Sequence, residues 1–458
     1  MATSVKPELH ATAQELALQL KIGLPISLAS LSRRALDVLT IAAIGRLGPA
    51  DMAAASLATS TTSILALSVF VGLSSATVTL TSQARGAGDK SQAGLWLHRT
   101  LLINVAVAVP LAVLLLLLSP LLRLMGQDEA LSSAAGTYCS LLLPGMFAMS
   151  ATWAINPWLQ CHGIVRPQLV VAGVMVGVHV LLLWLLVRSD GLGYIGAALA
   201  ASSSQILNIC AIAGWVLCRL RRHVPLVRPS RASLARWPAF FRLGCPGVLM
   251  LGEWWASEIG ILLTGLLPEP ATNLAAMSVY QAMNALSFMW PYGASNAGAT
   301  RVGATLGAGM ADSACRAAKV AVGVCVSFGV LSSLVLLLTR SKVAALFTSD
   351  AAVAAKVTQH GLRTHTDIHT YTHTHAHIHT YTHTDVHTCT HTHMHTYTHT
   401  HIHTYTACAL ARMPARHAQS TRACDLVLEP VLMPHVSCTR DPFEIRALPL
   451  EPALRRKA

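Results

Sequence analysis

The chain has 458 residues, of which 53% are hydrophobic and only 12% are charged, and its mean hydropathy is +0.52. Soluble domains carry about twice that charged fraction, so the composition excludes an ordinary soluble protein. The formal net charge of +13 does not indicate a nucleic-acid partner, because the basic residues lie mostly in short loops between apolar runs. Those runs are long enough to cross a lipid bilayer, which takes roughly 20 helical residues.

The first 23 residues contain Glu8 and Glu15 and no apolar core with a small-residue cleavage site. We therefore predict a cytoplasmic N-terminal segment rather than a secretory signal. Nine apolar segments follow, and each is predicted to form a membrane-spanning helix. The predicted helices lie near 24–45, 54–82, 99–119, 133–158, 168–188, 193–218, 239–266, 272–298 and 317–339.

The basic residues predict the orientation of these helices. The loops after helices 2, 4, 6 and 8 hold most of the arginines and lysines, and the alternate loops hold fewer. The basic loops contain Arg85, Lys90, Arg99, Arg166, Arg219, Arg221, Arg222, Arg228, Arg231, Arg236, Arg301, Arg316 and Lys319. Cytoplasmic loops carry such an excess, so we expect a cytoplasmic N-terminus, in either the plasma membrane or a vacuolar or vesicular membrane.

The chain also repeats itself. SQARGAGDKSQAG precedes helix 3, and the similar ATLGAGMADSACRAA precedes helix 9. Gly86 and Gly307 begin the two Gly-Ala-Gly loops, and their numbers differ by 221. Because six helices separate the copies, both have the same orientation. This predicts two parallel repeats, an arrangement found in secondary transporters, although Gly/Ala-rich loops can also converge by chance.

The repeat divides the chain and exposes a deficit. The first copy forms an N-lobe of six helices and a basic loop, at 24–236. The second forms a partial C-lobe of three helices, at 237–360. The first copy continues beyond Asp128 into three more helices, whereas after about residue 362 no window contains 18 apolar residues. The fold class predicted is therefore an all-α membrane bundle with a disordered tail.

Four motifs carry a family resemblance. GRLGPADMAAASLA, GLSSATVTLTSQARGAGD, GEWWASE and TRVGATLGAGM together resemble the multidrug and toxic compound extrusion (MATE) family in its eukaryotic form, over about residues 15 to 360. The resemblance implies a twelve-helix antiporter with two six-helix lobes. Such proteins export organic cations or other small organic molecules in exchange for protons or sodium. Helices 10 to 12 of that architecture are missing here, which we expect to impair transport.

Three acidic residues lie inside apolar helices, where a carboxylate is costly and is a functional candidate by default. Glu253 and Glu258 lie in helix 7, about 140° apart around its axis, so only one is expected to face a central cavity. The motif implies that this is Glu253. Asp37 lies in helix 1 and is a second candidate for proton or cation coupling. Each acid has a structural alternative, which for Asp37 is an ion pair with Arg33.

Neutral residues complete the candidate site. Trp254 and Trp255 are candidates to stack on an aromatic or cationic substrate, and helix packing is the alternative. Gln281 takes a place where some family members carry glutamate, which argues against animal-type organic-cation exchange. Gln281 and Asn284 remain candidates to line the cavity, or to pack between helices. The sequence has no pattern typical of an enzyme and indicates no cofactor or metal site in the helices.

Residues 361–406 form a Thr/His tract, and residues 407–458 form a tail outside the resemblance. From 364 to 406, even positions hold Thr, Ile, Ala, Val or Met, and odd positions hold His, Tyr, Asp or Cys. A CA dinucleotide repeat encodes Thr-His, and transitions explain nearly all the variants. We therefore interpret the tract as translated microsatellite. The alternatives are a zinc-binding segment of a metal transporter and a non-transporting, truncated or regulatory membrane protein.

Overall fold

The structure is a computed structural model. It describes residues 2–347 except 45–46, 48, 125, 127, 190–191, 221–226, 228–229, 253–254 and 256–269, and for some residues, including 270–284, it describes the backbone alone. The residues it describes form helices and short connections without a strand. This confirms the predicted all-α class. The Thr/His tract and the tail lie outside the described residues.

Nine helices in the described part of the chain overlap the nine predicted spans, and residues 253–254 and 256–266 of the seventh span lie outside the described residues. They are α1 (Ala2–Ile44), α2 (Pro49–Thr62 and Ser68–Gly86, joined by a π-helical turn), α3 (Lys90–Leu116), α4 (Glu129–Cys161), α5 (Arg166–Leu183), α6 (Gly193–Trp215), α7 (Trp237–Met250), α8 (Pro270–Gly307) and α9 (Ala311–Phe347). A short helix, Leu118–Leu124, and a 3-10 turn, Arg231–Leu234, lie between them.

Six helical segments of the described chain are long and apolar enough to cross a membrane: Ala54–Gly86, Lys90–Leu116, Glu129–Cys161, Arg166–Val187, Gly193–Arg219 and Ala311–Ser332. Helix α1 is not among them, and it carries Arg33, Arg34 and Asp37 in its C-terminal third. It also begins well before its predicted span. The stretch ELHATAQELALQLKI is built from good helix formers without Gly or Pro, so the helix continues through the predicted N-terminal segment.

The two Gly-Ala-Gly loops have the same backbone structure. Gly88 and Gly309 both adopt left-handed backbone angles, with φ of 77° and 74°, which glycine reaches without a steric penalty. The amide of Gly88 bonds the Arg85 carbonyl at 3.0 Å, and that of Gly309 bonds the Leu306 carbonyl at 2.9 Å. Gly309 lies 221 positions after Gly88, and Leu306 lies 221 positions after Arg85. The two copies of the sequence repeat therefore end their helices in the same way.

The same register relates contacts between the two halves of the chain. Small residues let the helices approach closely at these contacts, as is common between membrane helices. A Cβ at Gly293 would collide with Ser27 of α1, and a Cβ at Gly72 would collide with Val248 of α7. Those two contacts are counterparts at a separation of 221. Three further contacts of this kind follow the same register: Gly86 with Ala304, Gly307 with Gln83, and Gly303 with Ser82.

A pair of alanine substitutions tests this packing. Gly86→Ala would place a methyl group against the Ala304 backbone, and we expect it to destabilise the fold by about 1–3 kcal/mol. Gly173→Ala is the matched control, because no atom lies within 4 Å of its new Cβ, and higher helix propensity should make it neutral or slightly stabilising. Thermal melting of the purified variants measures both. Equal melting temperatures would contradict the close packing at Gly86.

Candidate functional site

A polar segment of α1 lies where this helix meets α4 and α8. The Arg33 guanidinium donates to Ser30 Oγ at 2.7 Å and lies 5.7 Å from the centre of the Trp153 ring of α4. A cation over an aromatic face is attracted by the ring quadrupole. Arg33 is also within electrostatic range of Tyr292 of α8. These contacts place Arg33 at the junction of the two halves of the bundle.

Asp37 occupies the next turn of α1. Its Oδ2 lies 3.3 Å from Nη1 of Arg34, and the side chains of Arg34 and Asp37 are 24% and 55% exposed. The ion pair predicted with Arg33 is therefore wrong: Asp37 pairs with Arg34, three residues earlier, while Arg33 turns toward Ser30 and Trp153. Asp37 is also within electrostatic range of Tyr138 of α4.

A buried histidine lies one turn further along. His179 of α5 is 1% exposed, and its ring nitrogens lie 2.8 Å from Thr40 Oγ1 of α1 and 2.8 Å from Ser204 Oγ of α6. Thr40 also donates to the Leu36 carbonyl, so hydrogen bonds join α1, α5 and α6 around His179. This network fixes α1 against α5 and α6, and so holds the segment that carries Asp37.

Most of the predicted C-lobe site cannot be placed. Glu253, Trp254 and Glu258 lie outside the described residues, and Gln281 and Asn284 lie in the part of α8 whose backbone alone is described. Trp255 is partly buried, and its backbone amide bonds the Leu251 carbonyl at 3.3 Å. Its indole N–H is buried and has no hydrogen-bond partner within the described structure.

Sequence reasoning missed an ion pair between α1 and α8. Arg301 donates from Nε to Glu15 Oε1 at 2.9 Å and from Nη2 to Glu15 Oε2 at 2.7 Å. Gln19 donates to Glu15 at 3.1 Å and to the Ala317 carbonyl at 2.8 Å. The partners are 286 positions apart in the sequence, so no local pattern predicts the pair. No cluster of potential metal ligands occurs among the described residues.

The Glu15 carboxylate lies in the part of α1 that precedes the predicted span. Burial by itself would raise its pKa, but hydrogen bonds from Arg301 and Gln19, with attraction from Arg301 and Arg316, together lower the pKa below its ordinary value. A lowered carboxyl pKa gives stabilisation that is present at neutral pH and is lost only as the pH falls through the folded-state value. The pair is therefore charged near neutrality.

Comparison with known proteins identifies this architecture. The MatE family model matches residues 25–185 and 247–363, one match in each half of the chain. The chain belongs to the MatE family. The two matches agree with the sequence repeat and with the paired contacts between the halves of the MatE bundle.

Relatives of known name support the assignment. Protein DETOXIFICATION 16 of Arabidopsis thaliana is 32% identical over 351 residues, which cover 76% of this chain and 72% of the relative. Protein DETOXIFICATION 17 of the same plant is 32% identical over 345 residues, covering 75% and 72%. A solved eukaryotic MATE transporter, AtDTX14, superimposes with a TM-score of 0.76 at 26% identity, covering 81% of this chain and 83% of that one.

Proposed function

We propose that this MATE transporter is a secondary active antiporter. It would export organic cations or other small organic molecules in exchange for protons or sodium ions. The observation that carries the proposal is Asp37, an acidic group of α1 within the first predicted span, 55% exposed and paired with Arg34. Acidic groups inside membrane helices are rare and mark ion pathways. Family membership supports transport rather than enzymatic activity.

The paired contacts extend this argument to the C-lobe. Gly23 packs on Ala294, and its counterpart Gly244 packs on Leu73, so the 221-residue register also relates α1 to α7. At this separation the counterpart of Asp37 is Glu258. We therefore propose one acid in each half, at equivalent positions of the first helix of each repeat. Glu253, which the family motif favours, corresponds to Ser32 and would have a different role.

These acids suggest how coupling works. An acid that binds a proton or sodium ion from one side, and gives it up on the other, changes its charge as the bundle alternates between two conformations. Neutralised, Asp37 would no longer balance Arg34, and the charge of the cleft would shift by one unit. Trp254, Trp255, Gln281 and Asn284 would contact the substrate, and the indole N–H of Trp255 would donate a hydrogen bond to it.

A vesicle assay tests the proposal. The transporter of this locus, reconstituted with the three further helices that the repeat predicts, should accumulate a fluorescent organic cation when a pH or sodium gradient is imposed. Accumulation independent of both gradients would exclude antiport.

We further propose that the N-lobe ends at residue 236 and the partial C-lobe begins at residue 237. We also propose that the N-terminus is cytoplasmic and that the protein lies in the plasma membrane or in a vacuolar or vesicular membrane.

The Thr/His tract supplies the strongest rival function, and the transcript decides between them. If the tract is unspliced sequence, reads should join codon 360 directly to three more hydrophobic segments. If it is genuine protein of a zinc transporter, reads should run through it, and purified protein should bind zinc stoichiometrically until residues 364–406 are deleted. If the tract is translated and the protein shows no efflux, the result would favour a non-transporting, truncated or regulatory membrane protein. We expect the direct join and no zinc binding.

A further inference from the structure

The two halves of the bundle meet at the end that contains Glu15, Gly86 and Arg301. This end, called here the Glu15 end, lies about 33 Å along α1 from Asp37 at 1.5 Å per residue. The glycine contacts between the halves place Gly86 against Ala304 and Gly307 against Gln83 at this end. An antiporter must open and close such a junction in each cycle.

The 221-residue register divides the junction into two comparable sides. One side joins α1 to α8 and α9, and we call it the latch side. The other joins α7 to α2 and α3, and we call it the hinge side. The latch side contains Gln19, Ala294, Arg301, Thr305 and Ala317. The hinge side contains their counterparts, Phe240, Leu73, Leu80, Ala84 and Trp96.

The two sides differ in side-chain size or polarity at each of these five positions. Phe240 is fully buried and Trp96 is 5% exposed, and both belong to one apolar cluster with Leu73 and, at its edge, Leu80. At the equivalent places the latch side has Gln19, which bonds the Ala317 carbonyl, and Arg301, which bonds Glu15. The hinge side is thus held by large apolar side chains, and the latch side by the polar contacts of Gln19 and Arg301 beside small apolar residues such as Ala317.

This difference decides which side separates more easily. Exposing apolar surface to water costs free energy in proportion to its area, and Phe and Trp have large areas. Separated ionic and amide groups are instead hydrated, so parting the ion pair into water costs less free energy than exposing these large apolar side chains. We infer that the Glu15–Arg301 pair and the Gln19–Ala317 bond form a one-sided latch, and that opening at the Glu15 end begins there while the Phe240–Trp96 side acts as the hinge.

The inference rests on the proposed transport function, but its test needs no substrate. Hydrogen–deuterium exchange of the intact chain in lipid nanodiscs compares peptides from the latch side, near 11–23 and 297–317, with peptides from the hinge side, near 73–84 and 237–247. Arg301→Gln should accelerate exchange about tenfold on the latch side, the effect of losing charge-assisted hydrogen bonds. Exchange on the hinge side should stay within about twofold.

Two further variants sharpen the comparison. The double charge swap Glu15→Arg with Arg301→Glu, made in an Arg316→Gln background that removes the nearby positive charge, should restore slow exchange. Arg316→Gln is the matched control, since Arg316 lies beside the pair and attracts Glu15 only electrostatically; it should change exchange less than Arg301→Gln. If Arg301→Gln melts at a much lower temperature, Glu15→Gln replaces it. Equal acceleration on both sides, no acceleration, or failure of the swap to restore slow exchange would overturn the latch.

Discussion

Replacing Asp37 by Asn should reduce gradient-driven substrate accumulation by about tenfold or more, the cost of losing a charge-assisted interaction in a functional site. The fold should survive, because Asn is nearly the same size as Asp and can still accept a hydrogen bond from Arg34. The measurement is accumulation of a fluorescent organic cation in vesicles under an imposed pH or sodium gradient, with the melting temperature recorded for each variant.

Glu129→Gln is the control for this substitution. Glu129 also forms an ion pair, with Arg123 at 2.9 Å, but its side chain is 79% exposed and lies in the first turn of α4. Removing such a surface charge should leave accumulation unchanged, since exposed pairs contribute little. If Asp37→Asn transports as well as Glu129→Gln, Asp37 is a structural partner of Arg34 and does not couple transport to an ion.

The acids of the C-lobe should have effects of similar size. Glu258 is the counterpart of Asp37 in the 221-residue register, so Glu258→Gln should reduce accumulation about as strongly as Asp37→Asn. Glu253→Gln should abolish it, as the family motif implies. The predicted helix would place the two acids about 140° apart, so we expect their substitutions to differ also in how transport depends on pH.

The test is a pH profile of initial uptake for each variant. If Asp37→Asn and Glu258→Gln both lose uptake, and if the remaining uptake depends on pH in the same way, Asp37 and Glu258 have equivalent roles. A Glu258→Gln variant with normal uptake would restrict coupling to Glu253 and Asp37. Ser32→Ala is a matched control for Glu253, because Ser32 is its counterpart and its hydroxyl bonds the local Leu28 carbonyl; it should leave uptake intact.

The sequence predicted the helices well because the signal is local. Each helix needs a long apolar run, and the bilayer fixes the length of that run. The repeat was also visible, since glycines at helix ends such as Gly88 and Gly309 are demanded by backbone angles that other residues rarely adopt. These features depend on neighbouring residues and can be found in a single sequence.

Contacts between individual side chains were harder to predict than the helices themselves. Helical spacing allowed either Arg33 or Arg34 to pair with Asp37, and the choice of Arg34 follows because Trp153 and Ser30 hold Arg33 elsewhere. The pairing of Glu15 with Arg301 depends on how two distant helices pack, which no local pattern encodes. Contacts between the two halves can be compared with one another once the 221-residue register of the repeat is known.

The most direct test of the central claim is accumulation of a fluorescent organic cation in vesicles that contain the transporter, with the pH or sodium gradient present or collapsed. Wild type should accumulate the dye only with a gradient present, and Glu253→Gln should not accumulate it although it is folded and inserted. Accumulation by Glu253→Gln at the wild-type rate, or by wild type without any gradient, would contradict the account of this protein as an ion-coupled exporter.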